Sequence, residues 1–191
     1  MATIATPSST GSEAATTVWT IDPAHTGVEF AVRHLMISSV KGRFAGVSGT
    51  VVGAEGSPEA AQVEIVIDPA SIDTREPQRD AHLRSADFLD VEKFPTLTFK
   101  SRRAFDVRDE TFKLAGDLTI HGVTREVVLD VISQGGTRDP WGNDRTGFAA
   151  STKIKRSDYG LVWNQALETG GVVVGDEIRI AIEAELIKKT A

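Results

Sequence analysis

Cysteine is absent from the 191-residue chain. Its absence removes disulfides, thiol catalysis and thiolate metal sites together, and it leaves the redox compartment open. Long apolar runs are also missing. No stretch approaches the roughly 18 consecutive apolar residues a membrane-spanning helix needs. Basic runs are absent too, and the formal net charge is −6, from 21 Lys and Arg against 27 Asp and Glu. An acidic surface disfavours nucleic acid and anionic membrane as primary partners. Apolar residues at 40% and charged residues at 25% are ordinary for a globular domain.

The first seventeen residues lack the features of a targeting segment. Met1 to Thr17 hold twelve Ala, Ser or Thr and a single charge, Glu13. There is neither a positive n-region nor an apolar core. The expectation is a disordered tail over 1–17, one domain over 18–191 and a cytoplasmic location.

From Val18 onward the pattern has period 2, the mark of half-buried strands. Val28, Phe30 and Val32 alternate with Glu29, Ala31 and Arg33; Val63, Ile65 and Ile67 alternate with Gln62, Glu64 and Asp68. Leu97 and Phe99 come next, then Phe112 and Leu114, Leu118 and Ile120, and Val127, Leu129 and Val131. Phe148, Ala150, Thr152 and Ile154 follow, and the clearest alternation is Ile178, Ile180, Ile182, Ala184 and Leu186. Turn signals separate the runs at Val107–Glu110, His121–Gly122, Gly135–Gly136 and Asp139–Asn143. Arg43 to Val52 is expected to form one strand, punctuated by glycine as barrel closure requires. About eight strands with short connections predict an antiparallel barrel or sandwich.

One segment interrupts the strands, Asp68 to Pro95. Pro77 suits a first helical turn, Gln78–Leu83 a short helix and Ala86–Leu89 a second turn. A connection of this length often caps or lines a site. An eight-stranded barrel either fills its bore with side chains or holds one ligand, and periodicity alone leaves both open. The last strand alone is roughly 27 Å long at ~3.3 Å per residue.

Four stretches carry a resemblance. They are Asp22–His34; Ile72–Thr74 with Arg79–Asp90 and Lys93–Phe99; Gly116–Thr124; and Ile154–Leu161 with Val174–Ile178. In this order they resemble the YceI-like family of polyisoprenoid-binding proteins, over essentially everything after Thr17. The resemblance implies an extended eight-stranded, lipocalin-like antiparallel β-barrel with a short helical cap. It also implies an apolar lumen for an isoprenoid chain such as a polyprenyl or quinone tail, and a homodimer. No cofactor beyond the bound lipid is implied. Some members are exported, and this chain departs from them in lacking a recognisable signal.

On polarity alternation, the expected lumen residues are Phe30, Val32, Phe44, Phe88, Phe94, Phe99, Leu118 and Phe148. His34, Arg79 and His82 are the candidates for a polar headgroup at the lumen mouth. Arg79, Asp80, His82, Arg84 and Asp87 are equally readable as a network that pins the cap, because buried charges must be paired. The four histidines, His25, His34, His82 and His121, show no metal-ligand spacing, so no metal is expected. No nucleophile elbow or phosphate-cradling loop is present, so no catalytic centre is expected. Two alternatives stand beside a lipid carrier: an enzyme with His34 or His82 as base near Asp80, and a packed barrel acting through protein partners.

Overall fold

A computed structural model describes residues 16–53, 56–168 and 170–189. The expected tail lies outside the described residues up to residue 15, and Thr17 already belongs to a strand.

Strand β1 (Thr17–Ile21) and β2 (Gly27–His34) form one bent stave. The bend is an Asx turn: Asp22 Oδ1 accepts from the Ala24 N–H at 3.0 Å, and Oδ2 bonds His25 Nδ1 at 2.9 Å. Next come β3 (Ser38–Phe44) and β4 (Val47–Gly53). The single strand expected over 43–52 is therefore two. At the corner, the Gly46 N–H donates to Ser71 Oγ at 2.9 Å and its carbonyl accepts from the Asp68 N–H at 2.8 Å. These bonds pull the backbone out of the ladder, so β3 pairs with β2 and β4 with β1.

Strands β5 (Gln62–Ile67), β6 (Ile72–Asp73), β7 (Leu97–Arg108), β8 (Thr111–Ile120), β9 (Val123–Arg138), β10 (Asp144–Lys155) and β11 (Val174–Lys188) complete the set. The ladder runs β1-β4-β5-β7-β8-β9-β10-β11, and β1 pairs back onto β11. All pairings are antiparallel, and the result is the expected closed eight-stranded barrel. β11 closes it twice: Leu186 faces Ile21 of β1, while Ile178 to Glu183 face Val32 to Gly27 of β2.

The β8–β9 hairpin turns on His121 (φ 52°) and Gly122 (φ 73°). Two positive φ values match the right-handed twist of the strands they join. Gly135 and Gly136 do not form a connection as expected. They lie inside β9, where the register against β10 shifts between Thr146 and Phe148, so they serve a bulge.

One end of the barrel is plugged. Helix α1 (Pro77–Arg84) starts with Pro77 in its first turn and with the Glu76 side chain accepting the Gln78 N–H. Hydrogen-bonded turns over 86–89 follow it. Leu89 joins Ile72, Leu97, Ile120, Ile154, Tyr159 and Leu161 in a buried cluster that forms the base.

Candidate functional site: a hollow lumen

Inward positions of all eight staves surround one cavity of about 860 Å³. That is near the top of the roughly 300–1,000 Å³ typical of small-molecule sites. The wall is almost wholly aliphatic and aromatic, from Phe44 and Leu118 to Ile182. Glycine helps keep the bore open. A Cβ on Gly42 would meet Phe30 Cζ at 2.4 Å, and one on Gly116 would meet Phe99 Cζ at 2.4 Å. Both rings therefore lie against the backbone of a neighbouring strand, which no larger residue there would permit.

The lumen runs from the buried base to exposed Val107, Asp109, Thr137 and Asp144, which mark its mouth. The mouth thus lies at the end opposite the helical cap. Around the rim, Arg145 binds three carboxylates. Its Nη1 donates to Asp22 at 2.7 Å and to Glu185 at 2.5 Å, and its Nε donates to Asp139 at 2.7 Å. Hydrogen bonds from His25 and then Arg145 hold the Asp22 carboxyl down at about 2. Asp139 is lowered despite a burial penalty, because Arg145, Asn143 and two backbone N–H groups donate to it. The same carboxylates, Asp139 first, raise Arg145.

Asp22, His25 and Glu185 bring ligand atoms within 4.8 Å of one another, the only such trio of His, Asp or Glu among the described residues. Arg145 donates to both Asp22 and Glu185, so a guanidinium already supplies the positive charge that a metal ion would bring there.

Of the residues expected on the lumen, Phe30, Val32, Phe44, Phe99, Leu118 and Phe148 line it from the strands. Phe88 does so from the cap, together with Leu83 and Leu89. Phe94 does not. Its ring packs on His121, 4.5 Å between centroids, because the loop before Pro95 turns back through a Phe94 N–H to Asp90 carbonyl bond.

None of the residues expected at the mouth lines the lumen. His34 ends β2 beyond the base. Arg79 donates from Nε and Nη2 to the Thr74 hydroxyl and carbonyl, at 2.7 and 2.8 Å. His82 bonds Asp87 at 2.8 Å and stacks edge-on against Phe88 and Trp163, on the outer side of the cap. Asp80 is buried and accepts both the N–H and the hydroxyl of Thr74. Arg84 donates to the carbonyls of Ala70 and Ile72, 2.8 Å each. The polar residues of this segment fasten the cap, largely to backbone.

Sequence reasoning missed the mouth network. Arg156 and Tyr159, within the Ile154–Leu161 stretch but not among the expected site residues, occupy a 3-10 turn (Arg156–Tyr159) at the base and line the lumen. The alternation of β10 stops at Lys155, and with it the only signal for burial.

Geometry of this kind defines a closed antiparallel barrel whose bore is hollow and apolar rather than filled. The chain belongs to the YceI-like domain family, whose profile matches residues 19–186. It is 38% identical over 170 residues to a UPF0312 protein of Staphylococcus aureus, covering 88% of this chain and 96% of the relative. Among solved structures, it superposes on the Campylobacter jejuni YCEI protein with a TM-score of 0.71 at 34% identity, covering 83% of this chain and 90% of that one. Two more distant structures share the fold. One is Burkholderia cenocepacia BcnA, with a TM-score of 0.75, 21% identity and 86% and 98% coverage. The other is a polyisoprenoid binding domain from Saccharophagus degradans, with a TM-score of 0.68, 15% identity and 90% and 98% coverage. No helix among the described residues is long and apolar enough to cross a membrane.

Proposed function

We propose that the chain binds a long-chain isoprenoid lipid or isoprenoid quinone in its lumen, as a carrier or store, with no catalytic centre of its own. The observation that carries this is the continuous apolar cavity of about 860 Å³ from base to mouth. A drug-sized or larger ligand contributes about 0.3 kcal/mol per heavy atom. A tail of roughly 40 carbons then approaches −12 kcal/mol, near nanomolar affinity, from apolar burial alone. The Saccharophagus degradans domain, named for polyisoprenoid binding, supports the reading at the level of the shared barrel. An enzyme using His34 or His82 is the weaker reading, because neither histidine lines the cavity. A packed barrel is weaker still, because this bore is hollow. The reading extends to a homodimer on family resemblance, which sedimentation velocity decides.

Native mass spectrometry of the purified protein, followed by organic extraction, tests the proposal. A prenyl-chain adduct is the expected result. Ala150→Trp fills the mid-lumen, where Ala150 lines the wall, and is expected to abolish the adduct while the barrel stays folded by circular dichroism. Wild-type protein that carries no lipid and gains none from added long-chain quinone or polyprenol refutes it.

A further inference from the structure

The two ends of the lumen differ in charge. At the mouth, Arg145 is answered by Asp22, Asp139 and Glu185; exposed Asp109 adds a further carboxylate to the lining, and Asp144 another that pairs with Arg138 at 4.0 Å. The mouth is thus net negative and its one lining cation is already satisfied.

The base is the reverse. Arg156 is 5% exposed, yet among the described residues no carboxylate comes within ion-pairing distance of it. Its Nε donates to the Gly175 carbonyl at 3.0 Å, and Nη1 donates to the carbonyls of Leu161 and Trp163 at 2.6 and 2.9 Å. The carboxylate that acts on it, Asp176, is instead bonded to the Ser157 N–H and hydroxyl. Burial lowers the Arg156 pKa against an opposing pull from Asp176, as expected of an interior cation with no carboxylate in direct contact. One 3-10 turn further, Tyr159 is 1% exposed, and its hydroxyl is the only buried side-chain polar atom among the described residues without a hydrogen-bond partner. A buried orphan of this kind needs an explanation, and a ligand group is one.

Resting on the lipid-binding reading above, we infer that the lipid sits head first, with a compact oxygen acceptor such as a carbonyl or carboxylate held at the closed end by Tyr159 and the Arg156 charge. The tail then extends toward the mouth along the apolar wall. Ile72, Leu89, Ile154 and Leu161 share a buried cluster with Tyr159, which favours a small head over a bulky, multiply charged one. The acidic rim adds a second preference, since an anionic head left at the mouth faces like charge.

The orientation can be read in the wild-type protein by methyl NMR, using stearate spin-labelled either beside its carboxylate or beside its terminal methyl. Head-first binding is expected to broaden the Ile154 and Leu161 methyls with the first probe and Val107 with the second. The reverse pattern overturns the inference and leaves the lumen reading standing. In parallel, Tyr159→Phe is expected to weaken stearate about fivefold, the size of one net hydrogen bond, without changing the affinity for phytane, an isoprenoid hydrocarbon with no head. Equal loss for both probes, or for neither, also overturns it. If no probe binds at all, the lipid-binding reading falls with it.

Discussion

Tyr159 is the chain's single tyrosine, which makes its hydroxyl open to direct measurement. Burial, the largest influence, pushes its phenol from 10.0 up to about 12. A folded-state pKa raised above the unfolded value affects stability in one direction for an acid. Below pH 10 the phenol is neutral in both states and pH has no leverage through it. Between pH 10 and 12 the unfolded chain gives up the proton while the native state keeps it, so stability falls as pH rises. The total loss is on the order of 2 to 3 kcal/mol, at about 1.4 kcal/mol per pKa unit. Tyr159→Phe removes this contribution and relieves the ligand-free protein of an unsatisfied buried hydroxyl, a penalty of about 1–3 kcal/mol. For a domain of this size each kcal/mol raises Tm by roughly 2–4 °C. Urea unfolding of both proteins at neutral and alkaline pH, with tyrosinate difference absorbance on the wild type, supplies the test. The variant should be the more stable throughout, by a margin that widens above pH 10. A phenolate midpoint near 10 means the hydroxyl is solvated rather than buried, a variant less stable than wild type at neutral pH means it has a partner, and either would falsify the reasoning.

Two further outcomes follow from the same contacts. Asp22, held down at about 2 by His25 and Arg145, contributes stability that is present above its usual 3.8 and lost as pH falls through 2. Arg145→Met is expected to shrink that acid loss between pH 4 and 2 and to lower stability at neutral pH; an unchanged acid slope means the network contributes nothing. Asp80→Ala leaves the buried Thr74 N–H and hydroxyl without their acceptor, a cost of about 2–4 kcal/mol for two unsatisfied donors, read by denaturant unfolding. Stability within 0.5 kcal/mol of wild type, the scatter of a surface substitution, removes Asp80 from the account of how the cap is held.

Most of the barrel was legible because each stave buries one face, and burial of one face writes itself as period 2. Ile178 to Leu186 and Phe148 to Ile154 show it plainly, and both strands sit where the alternation puts them. The corner at Gly46 was not legible. Its cause is a pair of bonds to Asp68 and Ser71, more than twenty residues away, while the local alternation simply continues. Phe94 fails for the opposite reason. An aperiodic loop has no face, so a large aromatic beside Pro95 says nothing about which side it will cover.

The open end of the lumen was misplaced for a reason that bears on function. His34, Arg79 and His82 look like ligand chemistry because polar residues cluster in the one non-strand segment. A cap that leaves its own backbone carbonyls unladdered needs that cluster simply to close the barrel, as Arg79 and Arg84 do on Thr74, Ala70 and Ile72. The residues free to meet a ligand are then those whose polar groups the fold does not use up. By that criterion the cap, whose donors meet backbone carbonyls, and the Arg145 cluster at the rim, where the cation meets its carboxylates, are spoken for. The Tyr159 hydroxyl is not, and Arg156, although its Nε and Nη1 are bonded to carbonyls, has no carboxylate in direct contact, which is why the closed end, rather than the mouth, is where specificity for a head group is expected to reside.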